Sequence, residues 1–127
     1  MKLLVVDDSS TTRKIIKAAV GALGMEAEEA QDGAEALEKL GASREEIGLV
    51  LLDWNMPVMN GYDVLVEMKN NDRLKHIPVM MVTTEGQKSS ILAAVRAGAN
   101  NYLTKPFTIY ELQTKINECL GREGGFK

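Results

Sequence analysis

Four short apolar runs constrain the fold of this chain more than any other feature. Leu3 to Val6, Leu49 to Leu52, Val79 to Val82 and the weaker Asn101 to Leu103 are strand-length, and their hydrophobicity is continuous rather than alternating. Such runs suit strands buried on both faces, as in a parallel sheet covered by helices. Glu26 to Glu29 is a fifth, weaker candidate. Between the runs, apolar residues recur three and four apart. Ile15, Ile16, Ala19, Val20 and Leu23 predict a first helix ended by Gly24, and Ala34, Leu37 and Leu40 a second ended by Gly41. Val64, Leu65 and Met68 predict a third, Ile91, Leu92 and Val95 a fourth ended by Gly98, and Leu112, Ile116, Cys119 and Leu120 a fifth. Strand and helix alternating five times imply right-handed crossovers, and hence a doubly wound α/β domain: a five-stranded parallel sheet flanked by five helices. The 127 residues suffice for one such domain. Residues 1–120 are expected to form it, with 121–127 as a short flexible C-terminal tail.

Composition narrows the partners. Fifteen Lys and Arg against eighteen Asp and Glu leave a formal net charge of −3, which provides no general attraction to nucleic acid or to an anionic membrane. Cys119 is the only cysteine and His76 the only histidine, so neither an internal disulfide nor a Cys/His zinc site can form. A reducing cytoplasm is the expected location. The apolar stretch in MKLLVVDD is too short for a signal peptide or a membrane span. A Ser/His/Asp or Cys/His arrangement would have to use His76, which lies in a polar KHIP turn.

The residues just past each strand carry the chemistry. After LLVV come Asp7 and Asp8, after LVLL come Asp53, Trp54 and Asn55, after VMMV come Thr83 and Thr84, and after NYL come Thr104 and Lys105. In a parallel sheet these ends share one edge, where open α/β sheets bind their ligands. Two like charges about 4 Å apart repel by roughly 4 kcal/mol at an effective dielectric of 20, so Asp7, Asp8 and Asp53 call for a cation between them. Carboxylates with a backbone carbonyl and water suit a hard ion such as Mg2+. Lys105 and the Thr83 hydroxyl add a positive charge and a donor, so the edge can hold a phosphoryl group on a carboxylate. Each residue alone has a plainer reading. An Asp after a strand often caps the next helix, a role open here also to Ser9, Ser10 or Thr11, and a loop lysine is usually solvated. Four strand ends presenting complementary groups are much harder to reconcile with chance.

The Asp7-Asp8 pair, Asp53 in LLDWNMPVMNG, Thr83 in MMVTTEG and Lys105 in YLTKPF together resemble the receiver domain of two-component response regulators, in particular the stand-alone chemotaxis regulators. The likeness covers nearly the whole chain. It implies a flavodoxin-like strand order 2-1-3-4-5, with no room left for a DNA-binding output domain. It also implies that Asp53 is the phosphoacceptor, charged by a phosphohistidine of a CheA-like sensor histidine kinase. Mg2+ would be held by Asp8, by Asp7 through water, by Asp53 and by the backbone carbonyl of Asn55. Lys105 and Thr83 would bind the phosphoryl oxygens, and Lys105-Pro106 would be a cis peptide. Asn55 and Glu85 would tune dephosphorylation, and Thr83 and Tyr102 would switch. The signalling face would comprise the fourth helix, fifth strand and fifth helix, with Lys115, Glu118 and the exposed side of Lys88 to Ala97. A monomer is implied, acting on a target such as a flagellar motor switch component, with a phosphatase as a further partner. Glu118 stands where the best-known chemotaxis regulators carry a lysine, which leaves the motor target open and a stand-alone receiver in another pathway as an alternative. A haloacid-dehalogenase-like phosphatase uses Asp-x-Asp after its first strand, but Ser9 stands two after Asp7 here. A flavodoxin-like electron carrier is suggested by the hydroxyl-rich Ser9 to Thr12 loop, yet three neighbouring carboxylates would repel the FMN phosphate.

Overall fold

The computed structural model describes residues 1–122. Five strands, β1 (Lys2–Val6), β2 (Glu26–Ala30), β3 (Ile47–Leu52), β4 (Val79–Thr83) and β5 (Asn101–Thr104), alternate with five helices. The helices are α1 (Ser10–Ala22), α2 (Gly33–Ser43), α3 (Gly61–Lys69), α4 (Lys88–Ala97) and α5 (Ile109–Cys119). All strand pairs are parallel and the order is β2-β1-β3-β4-β5, as the family resemblance implied.

The three central strands are almost wholly buried, which is why their sequences run apolar without alternation. Alternate residues of each strand supply the two faces of the sheet. Leu4, Val6, Val50, Leu52 and Met81 join one core with Leu40 of α2 and Val64, Leu65 and Met68 of α3. Leu3, Val5, Leu49, Leu51, Met80 and Val82 join the other with Ile16, Ala19 and Val20 of α1 and Leu112 and Ile116 of α5. The register carries straight to the functional edge. Val6 pairs with both Ala30 and Leu52, and Leu52 with Met81, so Asp7 and Asp53 emerge side by side while β4 continues to Thr83.

Helix starts follow local chemistry. Ser9, Asp32, Asn60 and Thr108 each accept a backbone N–H of the first turn, and Thr108 forms a full capping box with Glu111. Ser9 is therefore the cap of α1, which removes the capping reading from Asp7 and Asp8. Gly61 is required by space: a Cβ there would lie 2.0 Å from the carbonyl oxygen of Asp53, so glycine lets α3 begin directly against the strand end. Gly98 ends α4 in the left-handed region at φ 111°, as expected.

One expectation is corrected and two helix faces are defined. Gly41 does not end α2, which runs to Ser43, because the packing of Ala36 and Leu40 outweighs the cost of about 1 kcal/mol for a helical glycine. In α4, Leu92 and Val95 are 48% and 53% exposed, and Ala94 is the buried residue; the apolar spacing marks a helix but not its inner face. In α1, Ile15 is likewise exposed, and Ile16 carries the packing. At the start of the expected C-terminal tail, Gly121 N and Arg122 N donate to the carbonyls of Glu118 and Asn117 of α5. The rest of the expected tail lies outside the described residues.

Candidate functional site

The backbone ladder extends past the strands and sets the edge. Asp7 N donates to Ala30 O (3.1 Å), Asp53 N to Val6 O (3.0 Å) and Lys105 N to Thr83 O (2.8 Å). The carboxyl ends of β1, β3, β4 and β5 are thus fixed to one another before any side chain contributes. Asp7 and Asp53 are buried at 2% and 6% exposure, and Thr83 is wholly buried. The Lys105 ammonium bridges the two acids, 2.7 Å from Asp7 Oδ2 and 3.1 Å from Asp53 Oδ2. The Lys105-Pro106 peptide is cis, as the resemblance implied.

Asp7 is fully engaged. Its amide and carboxylate Oδ2 are held as described, its Oδ1 accepts from Ser9 N (2.9 Å) and its carbonyl from Arg13 Nη1 (2.5 Å). Burial still pushes its carboxyl above the usual carboxylate range, against the pull of the Lys105 and Ser9 bonds. Burial draws Lys105 down, but its bonds to Asp7 and Asp53 outweigh this and leave its pKa raised. Lys105 is therefore a firmly charged ammonium. Asp53 Oδ1 accepts from Asn55 N at 3.2 Å, which folds the Asn55 backbone back against the carboxylate. Asp8 differs: it is exposed, and its carboxylate makes no hydrogen bond or ion pair among the described residues.

Oxygen atoms of Asp7, Asp8 and Asp53 all lie within 4.8 Å of one another. This all-oxygen set with one free carboxylate fits a hard divalent cation that retains water, and Mg2+ suits it. A second set of contacts leads away from the edge. Thr83 Oγ1 accepts from Glu85 N (3.2 Å), and the Tyr102 hydroxyl donates to the carbonyl of the same Glu85. Tyr102 is partly buried, and burial first, then the charges of Glu85 and Asp53, push its phenol up to about 12. Near the outer end of β5, Asn101 donates to Glu118 (3.0 Å) and accepts from Lys115 (3.4 Å).

The structure brings Asp7, Asp8, Asp53, Asn55 and Lys105 together, joins Thr83 to Lys105 through the backbone, and connects Thr83 to Glu85 and Tyr102. Sequence reading missed Arg13. Its only sequence signal is its place four residues after Ser9, in the first turn of α1.

A doubly wound sheet with these groups at its carboxyl edge defines the class of protein. The chain matches the family described as the response regulator receiver domain over residues 3–117, and it belongs to that family. Several of its relatives carry chemotaxis names. It is 49% identical over 122 residues to chemotaxis protein CheY1 of Helicobacter pylori, covering 95% of this chain and 98% of that one. It is 44% identical over 126 residues to chemotaxis protein CheY of Pseudomonas aeruginosa, covering 98% and 100%. The crystallised chemotaxis response regulator CheY4 of Vibrio cholerae superposes with a TM-score of 0.86 at 33% identity, over 94% of this chain and 98% of that one. The chain is a receiver domain of the CheY-like chemotaxis type.

Proposed function

We propose that Asp53 accepts a phosphoryl group from a phosphohistidine of a CheA-like sensor kinase and that the resulting charge switches the surface built by α4, β5 and α5. The observation that carries this reading is the position of Asp53. Its carboxylate is nearly buried, yet it lies within reach of two further acids and one firmly charged lysine. A buried carboxylate that only stabilised the fold would need the lysine but not the acids.

In the transfer, a carboxylate oxygen of Asp53 attacks phosphorus in line, the P–N bond to the donor histidine breaks, and the leaving imidazole takes up a proton. Lys105, already 3.1 Å from Asp53 Oδ2, stabilises the negative charge on the phosphoryl oxygens. The Thr83 hydroxyl, on the neighbouring strand, donates to another of these oxygens. Asp7, Asp8, Asp53 and the Asn55 carbonyl would hold Mg2+, which when bound neutralises phosphoryl charge. The domain thereby catalyses its own phosphorylation and the hydrolysis of its acyl phosphate, and is not otherwise an enzyme. Asn55 and Glu85 flank the approach of the hydrolytic water and tune the lifetime of the signal.

Switching uses the chain of contacts from Thr83. When the hydroxyl turns to the phosphoryl group, it gives up its bond to Glu85 N, and the Glu85 loop and Tyr102 readjust together. The outcome reaches α4, β5 and α5, where a target such as a flagellar motor switch component binds, and a phosphatase can shorten the signal. This takes place in the cytoplasm. No helix among the described residues is long and apolar enough to cross a membrane.

Intact-mass analysis after exposure to a small phosphodonor and Mg2+ tests the reading. The native chain should gain one labile phosphoryl group, and Asp53→Asn should gain none. Full incorporation by the variant would remove Asp53 from the role.

A further inference from the structure

We infer that Arg13 is a positioning residue for the cation site, an inference that rests on reading Asp7, Asp8 and Asp53 as the ligands. The Arg13 side chain is only 14% exposed and bridges two elements. Its Nη1 donates to the backbone carbonyl of Asp7 at 2.5 Å and its Nε to Glu29 Oε1 on β2 at 2.8 Å. The peptide group is planar, so fixing the Asp7 carbonyl fixes the plane that also carries the amide and Cα of Asp8. Asp8 has no tether of its own, whereas every polar atom of Asp7 has a partner. Of the two peptides that flank Asp8, the one after it is held by the Ser9 N–H bond to Asp7 Oδ1, and the one before it, which carries the Asp8 amide, by the Arg13 guanidinium.

Glu29 makes the contact stiff. Its two oxygens are taken by different cations, Oε1 by Arg13 and Oε2 by Lys17 at 3.1 Å, and its backbone carbonyl accepts from Lys39 of α2. Arg13 and then Lys17 hold its carboxyl below the usual range. The fork of the guanidinium is essential to the design: it donates to Glu29 and to Asp7 at once, which a lysine ammonium on a flexible stem cannot reproduce in one fixed plane. Lys17 provides an internal control, because it binds the same glutamate without touching the Asp7-Asp8 peptide.

The experiment is titration of the full chain with Mg2+, followed by the fluorescence of Trp54, with thermal melting of each Mg2+-free variant alongside. Arg13→Ala should weaken Mg2+ binding about 10-fold, the size expected when a group supporting a ligand is removed. Lys17→Ala should lower stability slightly and leave Mg2+ affinity unchanged. Amide resonances of Asp8 and Ser9 should shift in Arg13→Ala without Mg2+ and stay in place in Lys17→Ala. Arg13→Lys, which keeps the charge, should fall between native and alanine. Native affinity in Arg13→Ala, an equal loss in Lys17→Ala, or full rescue by Arg13→Lys would overturn the inference. Should Arg13→Ala not fold, Arg13→Lys decides it. Absence of Mg2+ binding by the native chain would instead overturn the ligand assignment itself, and this inference with it.

Discussion

Helices α1 and α4 both start at the carboxyl edge of the same sheet, yet they are held very differently. α1 is capped by Ser9, buries Ile16, Ala19 and Val20, and is tied by Arg13 to Asp7 and Glu29. α4 has no side-chain cap bond at Gln87, buries Ala94 alone, and turns Leu92 and Val95 to solvent. The difference separates two tasks. The helix after the loop that carries Asp7 and Asp8 is fixed, so the acids keep their geometry, while the helix after the Thr83 loop has little to lose by moving. On the function proposed above, a phosphoryl group on Asp53 would bias the weakly held side through Thr83, Glu85 and Tyr102.

The contrast can be broken by core truncation, where the largest effect is expected. Ile16→Ala should cost about 2–5 kcal/mol of stability, as for other buried Ile to Ala changes, while Leu92→Ala should stay within about 0.5 kcal/mol. Denaturant unfolding of both variants decides it, and equal losses would mean that α4 is as firmly packed as α1. Caps come next. Ser9→Ala should cost about 1 kcal/mol, whereas Gln87→Ala should cost almost nothing because no cap bond is lost.

A smaller effect is expected from Tyr102 at high pH. Its phenol is raised from 10.0 to about 12 by burial and by the charges of Glu85 and Asp53. Below pH 10 both folded and unfolded chains keep the proton. Between pH 10 and 12 the unfolded chain loses it first, so stability falls as pH rises through that window. Tyr102→Phe should remove this part of the decline, as read from urea midpoints at a series of pH values. An unchanged slope would show that the Tyr102 hydroxyl is not held in the folded protein.

Much of the fold is legible in the sequence because the central strands are unambiguous. Leu3 to Val6 and Leu49 to Leu52 are buried on both faces, and burial of that kind leaves a continuous apolar run. The acids and Lys105 are legible for a related reason: in a parallel sheet the residues just past every strand share one edge, so adjacency in space can be read from position in sequence. The inner face of α4 is not legible, because spacing reports helix and not orientation. Ile91, Leu92 and Val95 are spaced for a helix, but the small Ala94 meets the core and two larger residues do not. Gly41 misleads for the converse reason, since a weak local preference yields to tertiary packing. Arg13 cannot be assigned from sequence. Its role exists only because β2 lies beside β1, which brings Glu29 within 2.8 Å of a residue sixteen positions away.

Hydrogen exchange measured along the backbone, with and without Mg2+ and beryllofluoride as a phosphoryl mimic on Asp53, tests the division of labour most directly. Exchange should change in α4, in β5 around Tyr102 and in the Glu85 loop, while the inner residues of α1 keep their protection, and Asp53→Asn should show none of these changes. A response confined to the strand ends, one spread evenly over α1 and α4, or one retained in Asp53→Asn would contradict it.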